Sequence, residues 1–238
     1  MKAVPPRLYL LDVEGTIAPI SLVSEQLFPY ARKHFATFLA EHCAEPGVEA
    51  DLDELAEENR AEADPQHPAF SRSLGWREAI PYLLWLMDRD RKCTALKSLQ
   101  GRVWKAGFES DELKGTLFAD VPAAFERWAR RAQVAIYSSG SVAAQMLLFR
   151  HSTFGDLTPL IAGYFDTRTG LKTASASYLA IASAMEVDPG QVLFFSDAVR
   201  ELDAAREAGC RTRLVVREGN VPVENGHQHK ALESFALL

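Results

Sequence analysis

The stretch RLYLLDVEGTIAPI, residues Arg7–Ile20, decides the fold of this chain. Its four apolar residues, Leu8–Leu11, run directly into two carboxylates, Asp12 and Glu14. A short, continuous apolar run is typical of a strand that is buried on both faces, as in the middle of a parallel sheet. Such a strand carries two acids to the edge of a buried sheet, and this placement favours a chemical role for them.

Residues 21 to about 111 show a different pattern. Apolar residues recur there at helical spacing, for example in SEQLFPYARKHFATFLAEH, residues 24–42, and no segment has a convincing strand pattern. The sequence therefore predicts an all-helical insertion, which we call the cap.

Strands and helices alternate after Asp120. The further predicted strands are 133–137, 163–166, 191–195 and 211–216. Because helical patterns separate these strands, the sequence predicts an α/β fold with a doubly wound parallel sheet. We expect residues 1–20 and 117–238 to form this α/β core and residues 21–116 to form the cap. Residues 218–230, which include His227 and His229, are predicted to be a solvated loop.

Composition excludes several classes of protein. The 238 residues are 47% hydrophobic and carry a formal net charge of −6, so no basic face for nucleic acid is expected. The three cysteines, Cys43, Cys93 and Cys210, form no CxxC pair and are interpreted as reduced thiols of a cytoplasmic protein. The longest strongly apolar run, residues 82–87, is too short to cross a membrane.

Polar side chains follow four of the predicted strands, at the carboxyl ends where α/β sheets bind their ligands. They are Asp12, Glu14 and Thr16 after the first strand, Ser138 and Ser139 after the second, Lys172 after the third, and Asp197 with Glu201 after the fourth. Each group alone is more often a helix cap or a solvated turn. Their common position at strand ends predicts that they converge on one site.

This set of side chains fits phosphoryl transfer. Asp12 and Asp197 provide the carboxylates that Mg²⁺ prefers, and a carboxylate also attacks phosphorus to give an aspartyl-phosphate. A second acid such as Glu14 can protonate the leaving oxygen and then activate water. Hydroxyl and ammonium groups can hold the phosphoryl oxygens on which charge develops.

The same residues closely resemble the haloacid dehalogenase-like superfamily of aspartate-nucleophile phosphotransferases. The first motif of that superfamily is read here as DVEGT, residues 12–16, with Glu14 in place of the usual second Asp. Together with the stretches IYSSGSVAAQMLLFRHSTFGDL and GYFDTRTGLKTASASY, this motif looks like the bifunctional enolase-phosphatase (acireductone synthase) family of methionine salvage.

The resemblance implies a function and a role for each matching residue. Members of the family enolise 2,3-diketo-5-methylthiopentyl-1-phosphate and then hydrolyse its phosphate, with Mg²⁺ as the cofactor. The implied catalytic residues are Asp12, Glu14 and Lys172, the substrate-binding residues are Ser138, Ser139 and Lys172, and the metal ligands are Asp12, Asp197 and Glu14 through its backbone carbonyl. Glu201 matches an acid that supports the metal site. A monomer acting on a small phosphate ester, with neither membrane nor nucleic acid as partner, is also implied.

Two alternatives remain at this stage. The chain could be a phosphatase of the same superfamily for another small phosphate ester. It could also be a phosphate-binding module without activity, although nucleophile, lysine and metal-binding acid are all present, which disfavours this second reading.

Overall fold

The computed structural model describes residues 5–91, 93–223 and 226–238. It divides into two compact units, of which one is Val23–Leu113 and the other consists of the described residues up to Leu22 and from Lys114 onward. The first four residues of the predicted core lie outside the described ranges. The assignment of 1–20 with 117–238 and of 21–116 to functional domains stays a prediction.

Six strands of the described residues form one parallel sheet with the order β3-β2-β1-β4-β5-β6. The strands are β1 (Leu8–Leu11), β2 (Gln133–Tyr137), β3 (Gly163–Phe165), β4 (Val192–Ser196), β5 (Arg211–Val215) and β6 (Lys230–Leu232). All four residues of β1 are buried, which its apolar sequence predicts. This sheet and its flanking helices confirm the predicted α/β class.

The unit Val23–Leu113 contains helices and, over its described residues, no strand. Its α-helices are α1 (Phe28–His42), α2 (Pro46–Ala61), α3 (Ala79–Asp88) and α4 (Thr94–Glu109). A π-helix, Leu22–Leu27, leads into α1, and two short 3₁₀ segments, Arg72–Leu74 and Trp76–Glu78, precede α3. Apolar side chains at helical spacing, such as Ala31, Phe35 and Leu39 of α1, are buried in a core of this unit.

The described part of the sheet-containing unit has four α-helices, α5 (Val121–Ala129), α6 (Val142–Arg150), α7 (Ser175–Ala184) and α8 (Val199–Glu207). Among the described residues, no helix is both long and apolar enough to cross a lipid bilayer.

The predicted loop 218–230 is wrong at its end. Lys230 begins β6, which pairs with β5 from Arg213↔Lys230 to Val215↔Leu232. His229, predicted to be solvated, is buried, and its ring nitrogens lie 2.7 Å from Thr212 Oγ1 and 3.1 Å from Asp203 Oδ1. Three residues are too few to show a period, so no strand pattern is visible in the sequence here. The prediction for Glu224 and Asn225 falls outside the described residues.

Candidate active site

The register of the sheet places Asp12 between two other strand ends. Leu11 of β1 is paired with Ile136 of β2 on one side and with Phe195 of β4 on the other. The backbone N–H of Asp12 donates to the carbonyl of Phe195, at 3.0 Å. Because all three strands are parallel, the segments that follow them meet at the same edge.

Lys172 lies between two carboxylates at this edge. Its Nζ is 2.5 Å from Asp12 Oδ1 and 2.7 Å from Glu201 Oε2, and its side chain is only 11% exposed. The hydroxyl of Tyr178, on α7, donates to the Lys172 carbonyl at 2.6 Å, and Ser177 Oγ donates to the preceding carbonyl of Leu171 at 2.8 Å. Two side chains of α7 thus fix the backbone from which Lys172 reaches the carboxylates.

Glu201, in the first turn of α8, is held from a second side. Ser196 Oγ donates to Glu201 Oε2 at 2.8 Å and accepts from the backbone N–H of Ala198 at 3.1 Å. A carboxylate at a helix N-terminus is also stabilised by the helix dipole. Glu201 is therefore a fixed partner of Lys172 rather than a solvated surface acid.

The turn after β1 depends on glycine. Gly15 has φ +72°, in the left-handed region that residues with a Cβ rarely adopt, and a Cβ there would overlap Asp197 Oδ2. Thr16 Oγ1 donates to Asp12 Oδ2 at 3.1 Å, so the turn folds back onto its own carboxylate. The glycine thus allows the chain to pass directly beside Asp197.

Negative charge is in excess at this site. Burial and the charge of Asp12 raise the pKa of Glu14, and burial together with Asp12 and Glu201 raises the pKa of Asp197 to about 7. Burial opposes the charged form of Lys172, but Asp12 and Glu201 outweigh it and raise its pKa, so the ammonium is retained. One ammonium faces four acids, Asp12, Glu14, Asp197 and Glu201.

Ser138 and Ser139 lie in the segment after β2. Ser138 is buried and its Oγ accepts from the backbone N–H of Gly140 at 3.2 Å, whereas Ser139 is exposed. Ser141 caps α6 by accepting from the N–H of Ala144 at 3.2 Å. The segment therefore offers hydroxyls and a helix N-terminus, which suit an anion.

These residues fit a divalent cation. Three of the four acids, Glu14, Asp197 and Glu201, have raised pKa values. A cation bound between them would lower these pKa values again. Among the described residues, no three His, Cys, Asp or Glu side chains form a metal-binding group on their own. The predicted donor set is consistent with this observation, since it uses two carboxylates and a backbone carbonyl.

Sequence reasoning missed two residues beside this site. Arg217 Nε donates to the carbonyl of Thr16 at 3.2 Å, and Asn220 Nδ2 donates to the carbonyl of Gly15 at 2.9 Å. Both follow β5, so the strand-end rule that pointed to the other four segments could have found them.

Known proteins with similar sequences identify the family. A family model described as haloacid dehalogenase-like hydrolase matches residues 6–209. The chain is 53% identical to "Enolase-phosphatase E1" of Synechococcus elongatus over 218 residues, which is 91% of each chain. It is 46% identical to the protein of the same name from Pseudomonas aeruginosa, over 95% of each chain. The chain belongs to the enolase-phosphatase family.

Solved structures have the same fold. The crystal structure of the UTR4 protein of Saccharomyces cerevisiae is 35% identical and has a TM-score of 0.80, with 98% of this chain and 100% of that chain covered. A 2-haloacid dehalogenase from Pseudomonas syringae has a TM-score of 0.57 at 14% identity and shares the fold alone. The predicted superfamily, fold class and enolase-phosphatase family are confirmed.

Proposed function

We propose that this member of the enolase-phosphatase family enolises 2,3-diketo-5-methylthiopentyl-1-phosphate and then hydrolyses its phosphate to release the acireductone. The observation that carries the proposal is the buried contact of Lys172 with Asp12 and Glu201, beside Glu14 and at the end of β1. Family membership supports the substrate, and this cluster supports the reaction.

Asp12 acts as the nucleophile in the phosphatase step. One Asp12 oxygen forms a bond to phosphorus while the bond from phosphorus to the substrate oxygen breaks. Thr16 and Lys172 hydrogen bond to different oxygens of Asp12, which fixes the orientation of its carboxylate. Lys172 also supplies positive charge next to the transferring group.

Glu14 moves the protons. It is the second acid of the turn after β1, two residues beyond Asp12, and in its protonated form it can give a proton to the leaving oxygen. The resulting carboxylate then takes a proton from the water that attacks the phosphoryl group on Asp12. Asp12 and protonated Glu14 are thereby regenerated, and inorganic phosphate is the second product.

Ser138 and Ser139 bind the phosphate of the substrate. The segment after β2 presents their hydroxyls and ends in the N-terminus of α6, where backbone N–H groups favour an anion. Lys172, which lies in the segment after β3, completes this phosphate site.

Asp12, Asp197 and the Glu14 carbonyl would hold Mg²⁺. When bound, the cation neutralises charge on the phosphoryl group and stabilises the enediolate of the first step. We further propose that the protein works in the cytoplasm as a monomer on this small phosphate ester. Its free cysteines, of which Cys93 and Cys210 are buried, support a reducing compartment.

The test is to mix the purified protein with the diketo phosphate and Mg²⁺. We expect ultraviolet absorbance of an enediol to appear first and inorganic phosphate to follow, and excess chelator to stop both. Ca²⁺ should not replace Mg²⁺, because it is larger and takes more ligands at longer distances. Turnover of other small phosphate esters at equal or greater kcat/KM would instead support a different phosphatase, and absence of any turnover would support a binding module.

A further inference from the structure

The segment after β5 holds the turn that carries Asp12 and Glu14. Arg217 and Asn220 donate to the carbonyls of two consecutive residues, Thr16 and Gly15. Arg217 is itself fixed, since its Nη1 and Nη2 lie 2.9 and 3.0 Å from the two carboxylate oxygens of Asp120. The turn after β1 is thus attached to a segment more than 200 residues further along the chain.

Gly15 is held on both of its peptide groups, because its N–H donates to the carbonyl of Ala18 at 2.8 Å within the turn and its carbonyl accepts from Asn220. Glycine has the widest choice of backbone conformations, and the observed φ of +72° is only one of them. The Glu14 carbonyl belongs to the peptide unit whose orientation changes with the φ of Gly15. Because Asn220 fixes the carbonyl of Gly15, it also restricts the direction in which the Glu14 carbonyl points.

The second polar atom of Asn220 lies on the same side. Its Oδ1 is buried, and no described residue donates a hydrogen bond to it. A Cβ placed on Gly15 would be 3.2 Å from this oxygen and would overlap Asp197 Oδ2. A neutral acceptor is thus held beside the carboxylate of Asp197, where a hydrated divalent cation could donate to it.

We propose that Asn220 is a positioning residue of the metal site. Its Nδ2 donates to the carbonyl of Gly15 and thereby helps to orient the Glu14 carbonyl. Its Oδ1 offers a hydrogen-bond acceptor beside Asp197. The inference rests on the proposed function, because it concerns the Mg²⁺ that the phosphatase reaction uses. Arg217 has a different role, since its contacts with Asp120 join elements of the core.

The experiment compares Asn220→Ala with Gln228→Ala. Gln228 is an exposed carboxamide of the same segment whose Oε1 accepts from Arg206 Nη1 at 2.9 Å, so its loss is the matched control. Mg²⁺ binding is measured by calorimetry. The kcat and KM are measured with the diketo phosphate at saturating Mg²⁺, and the Tm is measured without metal. If Asn220→Ala does not fold, Asn220→Ser replaces it, because serine also lacks the carboxamide but keeps a polar side chain.

We expect Asn220→Ala to weaken Mg²⁺ binding about 10- to 100-fold, the usual effect of removing a group that orients a metal ligand. Its KM at saturating Mg²⁺ should stay close to that of the unaltered protein, its metal-free Tm should fall by no more than the loss of one hydrogen bond explains, and Gln228→Ala should match the unaltered protein throughout. Unchanged Mg²⁺ affinity in Asn220→Ala would overturn the role of Asn220 alone. If the unaltered protein itself bound no Mg²⁺, the proposed function would fail and this inference with it.

Discussion

In the core, Lys172 lies between two carboxylates that are at most 17% exposed, whereas most ion pairs of the cap lie at its surface. Arg32 and Asp88 of the cap illustrate the difference, with side chains that are 45% and 52% exposed. Exposed pairs of this kind contribute about 0–1 kcal/mol to stability. Charges gathered away from water lower stability unless they are fully compensated. The excess of acids in the core is therefore explained by chemistry and not by folding.

Asp51 is a cap residue whose surroundings resemble those of Asp12. It is buried, and its Oδ2 accepts from Ser98 Oγ at 2.8 Å and from Arg102 Nε at 2.7 Å. The two aspartates thus have similar burial and similar partners, a hydroxyl and a cation. Asp12 also lies beside Glu14, Asp197 and Glu201, whose pKa values its charge helps to raise.

The largest expected effect is that of Asp12→Asn. An amide is a far poorer nucleophile and metal ligand than a carboxylate, so phosphate release should fall by roughly 10⁴-fold or more while the fold is kept. Steady-state phosphate release and far-ultraviolet circular dichroism check this. The matched control, Asp51→Asn, should keep kcat within twofold and lower the free energy of unfolding by about 1–3 kcal/mol. Near-normal turnover of Asp12→Asn would rule out the aspartyl-phosphate.

Lys172→Met tests the cation of the core. It removes the ammonium from between Asp12 and Glu201, so kcat should fall about 10²- to 10³-fold, as for loss of one group that stabilises transition-state charge. Lys105→Met in the cap is the control, because Lys105 is 61% exposed and lies 3.8 Å from Glu109. If both variants had the same kcat, Lys172 would be structural only.

Asp120→Asn is expected to have the smallest effect of these variants. It should change the free energy of unfolding and leave kcat unchanged. Burial opposes ionisation of Asp120, but hydrogen bonds from Arg217, Ser234 and the backbone of Phe235 outweigh it and lower its pKa. A lowered pKa adds stability above the unfolded value of about 3.9, and this contribution is lost as pH falls through the folded pKa.

Urea unfolding between pH 2 and pH 7 measures this contribution. The unaltered protein should lose more stability on acidification than Asp120→Asn, and the two curves should differ by about 1–3 kcal/mol at pH 7. Parallel curves over the whole range would show that Asp120 does not contribute in this way.

Much of the fold could be predicted from the sequence, because its signals are local. Leu8–Leu11 is a buried strand and residues 133–137 form a strand, both as predicted. The helical spacing of apolar residues in the cap predicted that this part of the chain is helical. The strand β6 could not be predicted, since its three residues gain their partners only from β5. The burial of His229 has the same cause.

The candidate site, too, could be predicted only in part from the sequence. Acids at strand ends are visible in the sequence, and Asp12 and Lys172 are joined directly in the structure although 160 residues separate them. The roles of Ser138 and Ser139 stay predictions. The strand-end rule points to the segment after β5, but no motif singles out Asn220 and Arg217 within it, because their contacts with the turn at Gly15 depend on the path of the chain.

In the proposed mechanism, the turn after β1 divides the phosphatase step between a nucleophile, Asp12, and a proton carrier, Glu14. Glu14→Gln tests this most directly, because the amide keeps the backbone carbonyl but neither gives nor takes a proton. The variant is mixed rapidly with the diketo phosphate and Mg²⁺, and enediol absorbance and inorganic phosphate are followed together.

We expect that the enediol still forms and accumulates with its phosphate attached, while phosphate release slows roughly 100-fold or more. Formation of neither enediol nor phosphate would contradict it, since Glu14 would then also be needed to remove the first proton. Release of phosphate at the unaltered rate would show that Glu14 does not carry the proton at all.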